Sequence, residues 1–156
     1  MTPSAPSVVA LTRVRASIRE AVREAMERAG FADAVPKGSA VVVKPNLGWD
    51  LFLPGSVTSP AVLDAVLEVA AERAGKLWVA ESAQVLESVD RVRRKMGLDD
   101  LFRRHGAEWV DITHAPRTTV AVPGGRVFTE VLVPQPFDRA LLVTVPVLKT
   151  HDKTLL

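Results

Sequence analysis

Polar residues follow three apolar, strand-like stretches of this sequence at the points where those stretches end. In chain order they are Lys44, Asn46, Glu81, Ser82, Lys149, Thr150 and His151. In an open α/β sheet, ligands bind in the crevice beyond the carboxyl ends of the strands. Two ammonium groups, a carboxylate, an amide and an imidazole would converge there. The sequence therefore predicts a site for a small anionic ligand at this edge of the sheet.

The first group of polar residues surrounds Pro45. Proline biases Lys44 toward an extended backbone and has no N–H for a sheet hydrogen bond, so the strand should end here with polar side chains at the rim. Lys44 would then be a point charge for a phosphate or carboxylate, and Asn46 an amide that orients it. An ordinary turn at the end of a strand explains the same residues.

The other two groups add acid–base chemistry. His151 follows Lys149 and Thr150 and can accept or give a proton near neutral pH. Glu81 could offset the lysines, accept a diol, move a proton or hold a Mg²⁺ ion. We therefore predict His151 and Glu81 as catalytic candidates. A polar loop and a helix-capping Ser82 are the simpler interpretations.

Two further motifs indicate a binding site less specifically. Ser59 precedes Pro60, as an N-cap precedes the first helical residue. The free N–H groups of such a helix form a general anion site, so Ser59 joins the predicted ligand-binding residues, although capping alone explains it. Asp111 and His114 have a spacing that suits a metal, but no third ligand is evident, and a structural or surface role is favoured.

The hydrophobic pattern predicts strands that alternate with helices. Ser7–Leu11 predicts a first strand, and the predicted order is β-α-β-α-β-α-β, then a hairpin with arms Val120–Val122 and Val127–Val133, then a strand over Ala140–Val145. Such an order favours an α/β fold with an open, mostly parallel sheet and helices on both faces, Rossmann-like, plus a β-hairpin insertion. We expect a single domain over residues 1–156 that is truncated at its C-terminus, because the chain stops where another helix should follow.

The composition excludes several classes of protein. The chain has 156 residues, 20 basic and 18 acidic side chains, and no cysteine, so it supplies no disulfide, thiolate metal ligand or iron–sulfur ligand. The basic cluster Arg91–Lys95 predicts solvated helix surface, and without interleaved aromatic residues nucleic acid is not an expected partner. The sequence contains no signal peptide, membrane span or standard dinucleotide, P-loop or hydrolase motif, which predicts a cytoplasmic protein without membrane contact.

Taken together, these motifs resemble the family known as domain of unknown function 362. The matching segments are Val41–Leu47, Thr58–Pro60, Val79–Ser82, Gly124–Gly125 with the strand that follows, and Val145–His151. The resemblance covers about residues 39–154 and implies that this chain is the N-terminal portion of a longer protein. Relatives often carry ferredoxin-type iron–sulfur modules elsewhere, which implies redox-linked chemistry. The segment Ser82–Val85 departs from relatives, which tend to be glycine-rich there.

Three hypotheses about function follow. In the first, the domain is an enzyme acting on a small anionic metabolite, with Lys44 and Lys149 binding the anion, Asn46 orienting it, and His151 or Glu81 moving a proton. In the second, it is a non-catalytic partner or cofactor-binding module of an iron–sulfur redox protein, and a ferredoxin-like protein is its partner. In the third, it is a fragment without activity of its own.

Overall fold

The computed structural model describes residues 7–49, 52–83 and 88–150 of the chain. Its elements, in chain order, are α1 (Ile18–Arg28), α2 (Phe31–Ala34), β1 (Ser39–Pro45), α3 (Pro60–Ala71), β2 (Ala74–Glu81), α4 (Val89–Lys95), α5 (Leu98–Arg104), β3 (Glu108–Asp111), β4 (Arg117–Ala121), β5 (Glu130–Pro134) and β6 (Leu141–Val145). Helices alternate with the strands of one parallel sheet, so the predicted α/β class is confirmed.

The strand β1 lies at the centre of the sheet because its apolar run is β-branched and unbroken. Val41, Val42 and Val43 are fully buried, as expected for a strand that is covered on both faces. β1 pairs in parallel with β2 on one side and with β6 on the other, and β3 pairs in parallel with β2. The strand order is therefore β3-β2-β1-β6.

The sequence predicted helices on both faces of the sheet, but the described helices pack into one core with the face that carries Val41 and Val43. α1 begins at the predicted capping box, where the Oγ of Ser17 accepts a hydrogen bond from the N–H of Glu20 at 3.0 Å. α3 follows Ser59, as predicted, and contacts both α1 and the strands β1 and β2. This packing fixes where α3 begins relative to the carboxyl ends of the strands.

The predicted hairpin is present as β4 and β5, which form a separate antiparallel pair. Its second arm begins at Glu130, later than the predicted Val127, because the preceding residues belong to the turn. Within the turn, Gly125 lies against the backbone of Phe128, and a Cβ atom at Gly125 would be 2.0 Å from the carbonyl oxygen of Phe128. After the hairpin, Gln135 and the residues that follow lie beside the sheet face opposite the helices.

The predicted first strand over Ser7–Leu11 is wrong, since these residues form no strand. Val9 and Leu11 are 82% and 85% exposed, so neither apolar side chain is buried by packing within the described residues. Strand propensity has an effect only where a partner strand is in reach, and none of the described strands pairs with this segment. None of the described helices is long and apolar enough to cross a membrane.

Candidate functional site at the carboxyl edge of the sheet

The strand order places a topological switch between β1 and β6. From β1 the chain adds β2 and then β3 in one direction, and it later returns to place β6 on the other side of β1. Pro45 is the register partner of Val145, so both strands end at the same level. In open α/β sheets the crevice beside such a switch point is the usual position of a ligand. The two predicted lysine groups follow these two strands.

Lys44 and Glu81 form an ion pair at this edge. The Nζ of Lys44 lies 2.8 Å from Oε1 and 2.9 Å from Oε2 of Glu81, so it contacts both carboxylate oxygens. The Glu81 side chain is 3% exposed, whereas that of Lys44 is 33% exposed. The carboxylate is therefore inside the protein, and the ammonium group lies between it and the solvent.

Glu81 also organises the backbone at the ends of β1 and β2. It accepts hydrogen bonds from the N–H of Ser82 at 2.8 Å and from the N–H of Leu47 at 3.4 Å. The hydroxyl of Ser82 lies 3.4 Å from the same carboxylate. These contacts orient Lys44 and the first residues of both loops, and a Mg²⁺ ion at Glu81 would have to displace the Lys44 ammonium group.

Lys44 retains hydrogen-bonding capacity toward solvent. An ammonium group has three N–H donors. One N–H of Lys44 donates to Glu81, and a second donates to the carbonyl oxygen of Pro45 at 3.4 Å. With a third of the side chain exposed, the remaining donor is available to an anion without separation from Glu81.

Thr58 joins the carboxyl ends of β1 and β6, and the sequence analysis missed this role. Its Oγ1 accepts a hydrogen bond from the N–H of Asn46 at 2.8 Å and donates one to the carbonyl of Val145 at 2.6 Å. Its own N–H donates to the carbonyl of Asn46 at 2.9 Å. Thr58 is only 3% exposed, so these bonds lie inside the protein. The sequence signal was a single hydroxyl residue directly before the predicted N-cap.

The side chain of Asn46 is engaged within its own loop. Its Nδ2 donates to the carbonyl of Ser56 at 3.3 Å, and its Oδ1 accepts from the N–H of Gly48 at 3.3 Å. Both ends of the amide therefore hold the loop between β1 and α3. The amide retains one N–H and one oxygen lone pair, so its predicted role in orienting a ligand stays a prediction.

The first turn of α3 also lies at this edge, because Thr58 anchors it there. Ser59 is the N-cap and Pro60 is the first helical residue, but the Ser59 hydroxyl makes no capping hydrogen bond. The first N–H groups of a helix have no partner within the helix, and they attract anions. Ser59 and this helix start are thus close to the carboxyl end of β1.

The residues predicted after β6 are only partly visible. Lys149 and Thr150 are exposed and form no hydrogen bond or ion pair with another described residue. His151 lies outside the described residues. The structure thus brings Lys44, Glu81 and Ser82 together. Lys149 and Thr150 come after β6, the strand that pairs with β1.

Asp111 and His114, at the carboxyl end of β3, bind each other. The Nδ1 of His114 lies 2.9 Å from Oδ2 of Asp111, and the N–H of Thr113 donates to Oδ1 at 2.9 Å. Burial raises the pKa of the Asp111 carboxyl group, but the hydrogen bonds from His114 and Thr113 lower it by more, so the pKa lies below its ordinary value. Among the described residues, no cluster of three or more histidine or acidic side chains is arranged to hold a metal.

Comparison with known families gives a match over most of the chain. A family model described as domain of unknown function (DUF362) matches residues 41–156. The chain belongs to this family. The matched part of this DUF362 domain begins within β1 and includes Lys44, Glu81 and Lys149. No significant match to the chain is found among curated proteins or among solved structures.

Proposed function

We propose that this DUF362 domain binds a small anionic metabolite at the carboxyl edge of the sheet, in the crevice between β1 and β6, and acts on it. The observation that carries the proposal is the partly exposed Lys44 side chain, whose ammonium group is paired with the buried Glu81 beside the switch point. A cation that is fixed in advance loses little freedom on binding an anion.

Each residue of the site has a proposed role. Lys44 donates its remaining N–H to the anion, and the free N–H groups at Ser59 and the start of α3 add positive potential. Lys149 supplies the second cation and Thr150 a hydroxyl donor. Glu81 positions Lys44.

Proton transfer at this site is assigned to His151 or Glu81. An imidazole serves this purpose near neutral pH, whereas Glu81 would have to release one of its present contacts before it could accept a proton. Redox-linked chemistry and a cytoplasmic location remain predictions from the sequence.

The proposal is tested by calorimetric titration of the chain with inorganic phosphate and with a set of small mono- and dicarboxylates. Loss of a charge-assisted hydrogen bond costs about 1.5–3 kcal/mol, so Lys44→Ala should weaken binding by roughly ten- to a hundredfold. Lys149→Ala should weaken it in the same direction. Lys37→Ala is the matched control, since Lys37 is an exposed lysine at the opposite end of β1. Equal affinities for all four proteins would refute the proposed site.

A second candidate function is docking of a redox partner, and exposed apolar residues beside the site favour it. Trp49, Phe52 and Leu53 follow the carboxyl end of β1 and are 51%, 43% and 37% exposed. Aromatic residues in this position are typical of interaction surfaces. A ferredoxin-like protein is the partner that we propose for this surface. Titration with a bacterial-type ferredoxin should show binding that Trp49→Ala weakens and Lys37→Ala leaves unchanged, and absence of binding would refute this candidate.

A further inference from the structure

A second cleft lies between the base of the hairpin and the sheet face opposite the helices. It has a volume of about 640 Å³, and Trp78, Asp111, His114, Gln135 and Arg139 are among its lining residues. This volume is within the range of about 300–1,000 Å³ typical of small-molecule sites. The residues Lys44, Glu81 and Ser59 do not line it, so it is distinct from the site proposed above.

The indole ring of Trp78 is the flat apolar surface of this cleft. Trp78 is partly buried in β2, and the Nζ of Lys76 lies 5.6 Å from the centre of its ring. Trp109 also borders the cleft, but its ring is occupied elsewhere. It stacks on Phe102 with centroids 5.8 Å apart and donates its Nε1–H to Asp90 at 2.8 Å. Trp78 is therefore the ring on which a planar ligand can stack.

The pair formed by Asp111 and His114 presents an imidazole to the cleft in a fixed orientation. A carboxylate only accepts hydrogen bonds, so the Nδ1 of His114 carries the proton that is directed at Asp111. This arrangement leaves the Nε2 of His114 without a role in the pair. The His114 side chain is 80% exposed, so Nε2 is accessible to a ligand.

Arg139 adds a positive charge at the same cleft, and Gln135 adds an acceptor. The only ion pair of Arg139 within the described residues joins its Nε to Asp138 at 3.4 Å, which leaves the outer guanidinium nitrogens unused. The Arg139 side chain is 68% exposed. The Nε2 of Gln135 donates to Thr118 at 3.0 Å, so the amide is oriented and its oxygen remains available.

We propose that this cleft binds a planar aromatic or heterocyclic ring that carries an anionic group. The ring stacks on Trp78, and the anionic group binds the guanidinium group of Arg139, while the Nε2 of His114 accepts a hydrogen bond from an N–H or O–H group of the ligand. Guanidinium groups bind carboxylates and phosphates with two parallel hydrogen bonds, which favours an anionic substituent over a neutral one. A nucleotide and an aromatic carboxylic acid share this chemistry.

The proposal is tested on the full chain with two probes, adenosine 5′-monophosphate and benzoate. Binding is followed by nuclear magnetic resonance through the indole N–H signal of Trp78. We expect saturable binding of at least one probe, and the one that binds identifies the source of the ring. Two further compounds serve as controls at this cleft: adenosine, which lacks the anion, and inorganic phosphate, which lacks the ring. Each should bind the cleft at least about tenfold more weakly than the probe that binds, because each loses one of the two contacts.

Variants assign the binding to this cleft. Arg139→Ala should weaken binding about ten- to a hundredfold, while Arg126→Ala, on the exposed hairpin turn, should leave it unchanged. Lys44→Ala should also leave it unchanged, so failure here is distinguishable from failure of the proposed anion site. The proposal is overturned if neither probe shifts the Trp78 signal, or if Arg139→Ala binds as well as Arg126→Ala.

Discussion

The ion pair between Lys44 and Glu81 should respond unequally to removal of its two members. Breaking a buried pair by removing one partner costs about 3–5 kcal/mol, because the other charge is left buried. In Lys44→Met the uncompensated group is the Glu81 carboxylate, which is 3% exposed and keeps backbone N–H donors from Ser82 and Leu47. These donors lower the expected loss of unfolding free energy to about 2–3 kcal/mol.

The reverse change should cost less. In Glu81→Gln the uncompensated group is the Lys44 ammonium, which belongs to a side chain that is 33% exposed and can turn to water, while the new amide oxygen still accepts a hydrogen bond. We expect a loss of about 1 kcal/mol. The double variant Lys44→Met/Glu81→Gln should be more stable than Lys44→Met alone, because it removes the uncompensated buried charge.

The assay is urea unfolding of the chain, followed by tryptophan fluorescence and analysed by linear extrapolation. Lys76→Met is the matched control, since Lys76 pairs with Glu108 on the same sheet and both side chains are about half exposed. That control should cost no more than about 1 kcal/mol. The reasoning is refuted if Lys44→Met and Glu81→Gln cost the same, or if Lys44→Met costs no more than the control.

Three further predictions concern Thr58, Asp111 and Gly125. Thr58→Val should lower the unfolding free energy by about 2–4 kcal/mol in a urea titration, because the N–H of Asn46 and the carbonyl of Val145 lose their shared partner, while Thr58→Ser should keep most of the stability. Asp111→Asn should lower stability at neutral pH. The pKa of Asp111 is lower in the folded chain than in the unfolded one, so the stabilisation from its carboxylate is complete above the ordinary pKa and is lost as the pH falls through the lowered pKa. The unfolding free energies of Asp111→Asn and the unsubstituted chain, measured from about pH 6 to pH 2, should therefore converge at the acid end. A difference that stays constant with pH would contradict this. Gly125→Ala should shift the amide resonances of the hairpin turn, since a Cβ there would lie 2.0 Å from the Phe128 carbonyl, and an unchanged spectrum of this turn would contradict the geometry.

The sequence predicted the parts of the fold that depend on local pattern. The β-branched run before Lys44 predicted the central strand, and Pro45 predicted where it ends. The capping residue Ser17 and the pair Ser59–Pro60 predicted the starts of α1 and α3. These signals are local because each depends on backbone preferences or hydrogen bonds within one turn.

The parts that depend on distant contacts were not predictable in the same way. The bond from Thr58 to Val145 joins residues far apart in the chain, so no spacing rule indicated it. Asn46 was predicted as a ligand-binding amide, and that role stays a prediction, but no pattern in the sequence indicated that its side chain also bonds to Ser56 and Gly48 within its loop. Ser7–Leu11 has the composition of a strand, yet pairing depends on a partner that the pattern cannot specify.

The most direct test of the anion site is a chemical-shift titration of the isotope-labelled chain with inorganic phosphate. The account predicts saturable shifts for the amides of Lys44, Leu47, Ala61 and Lys149, and no comparable shift at Lys37 on the opposite edge of the sheet. Shifts that are absent at the carboxyl ends of β1 and β6, or equal at both edges of the sheet, would contradict it.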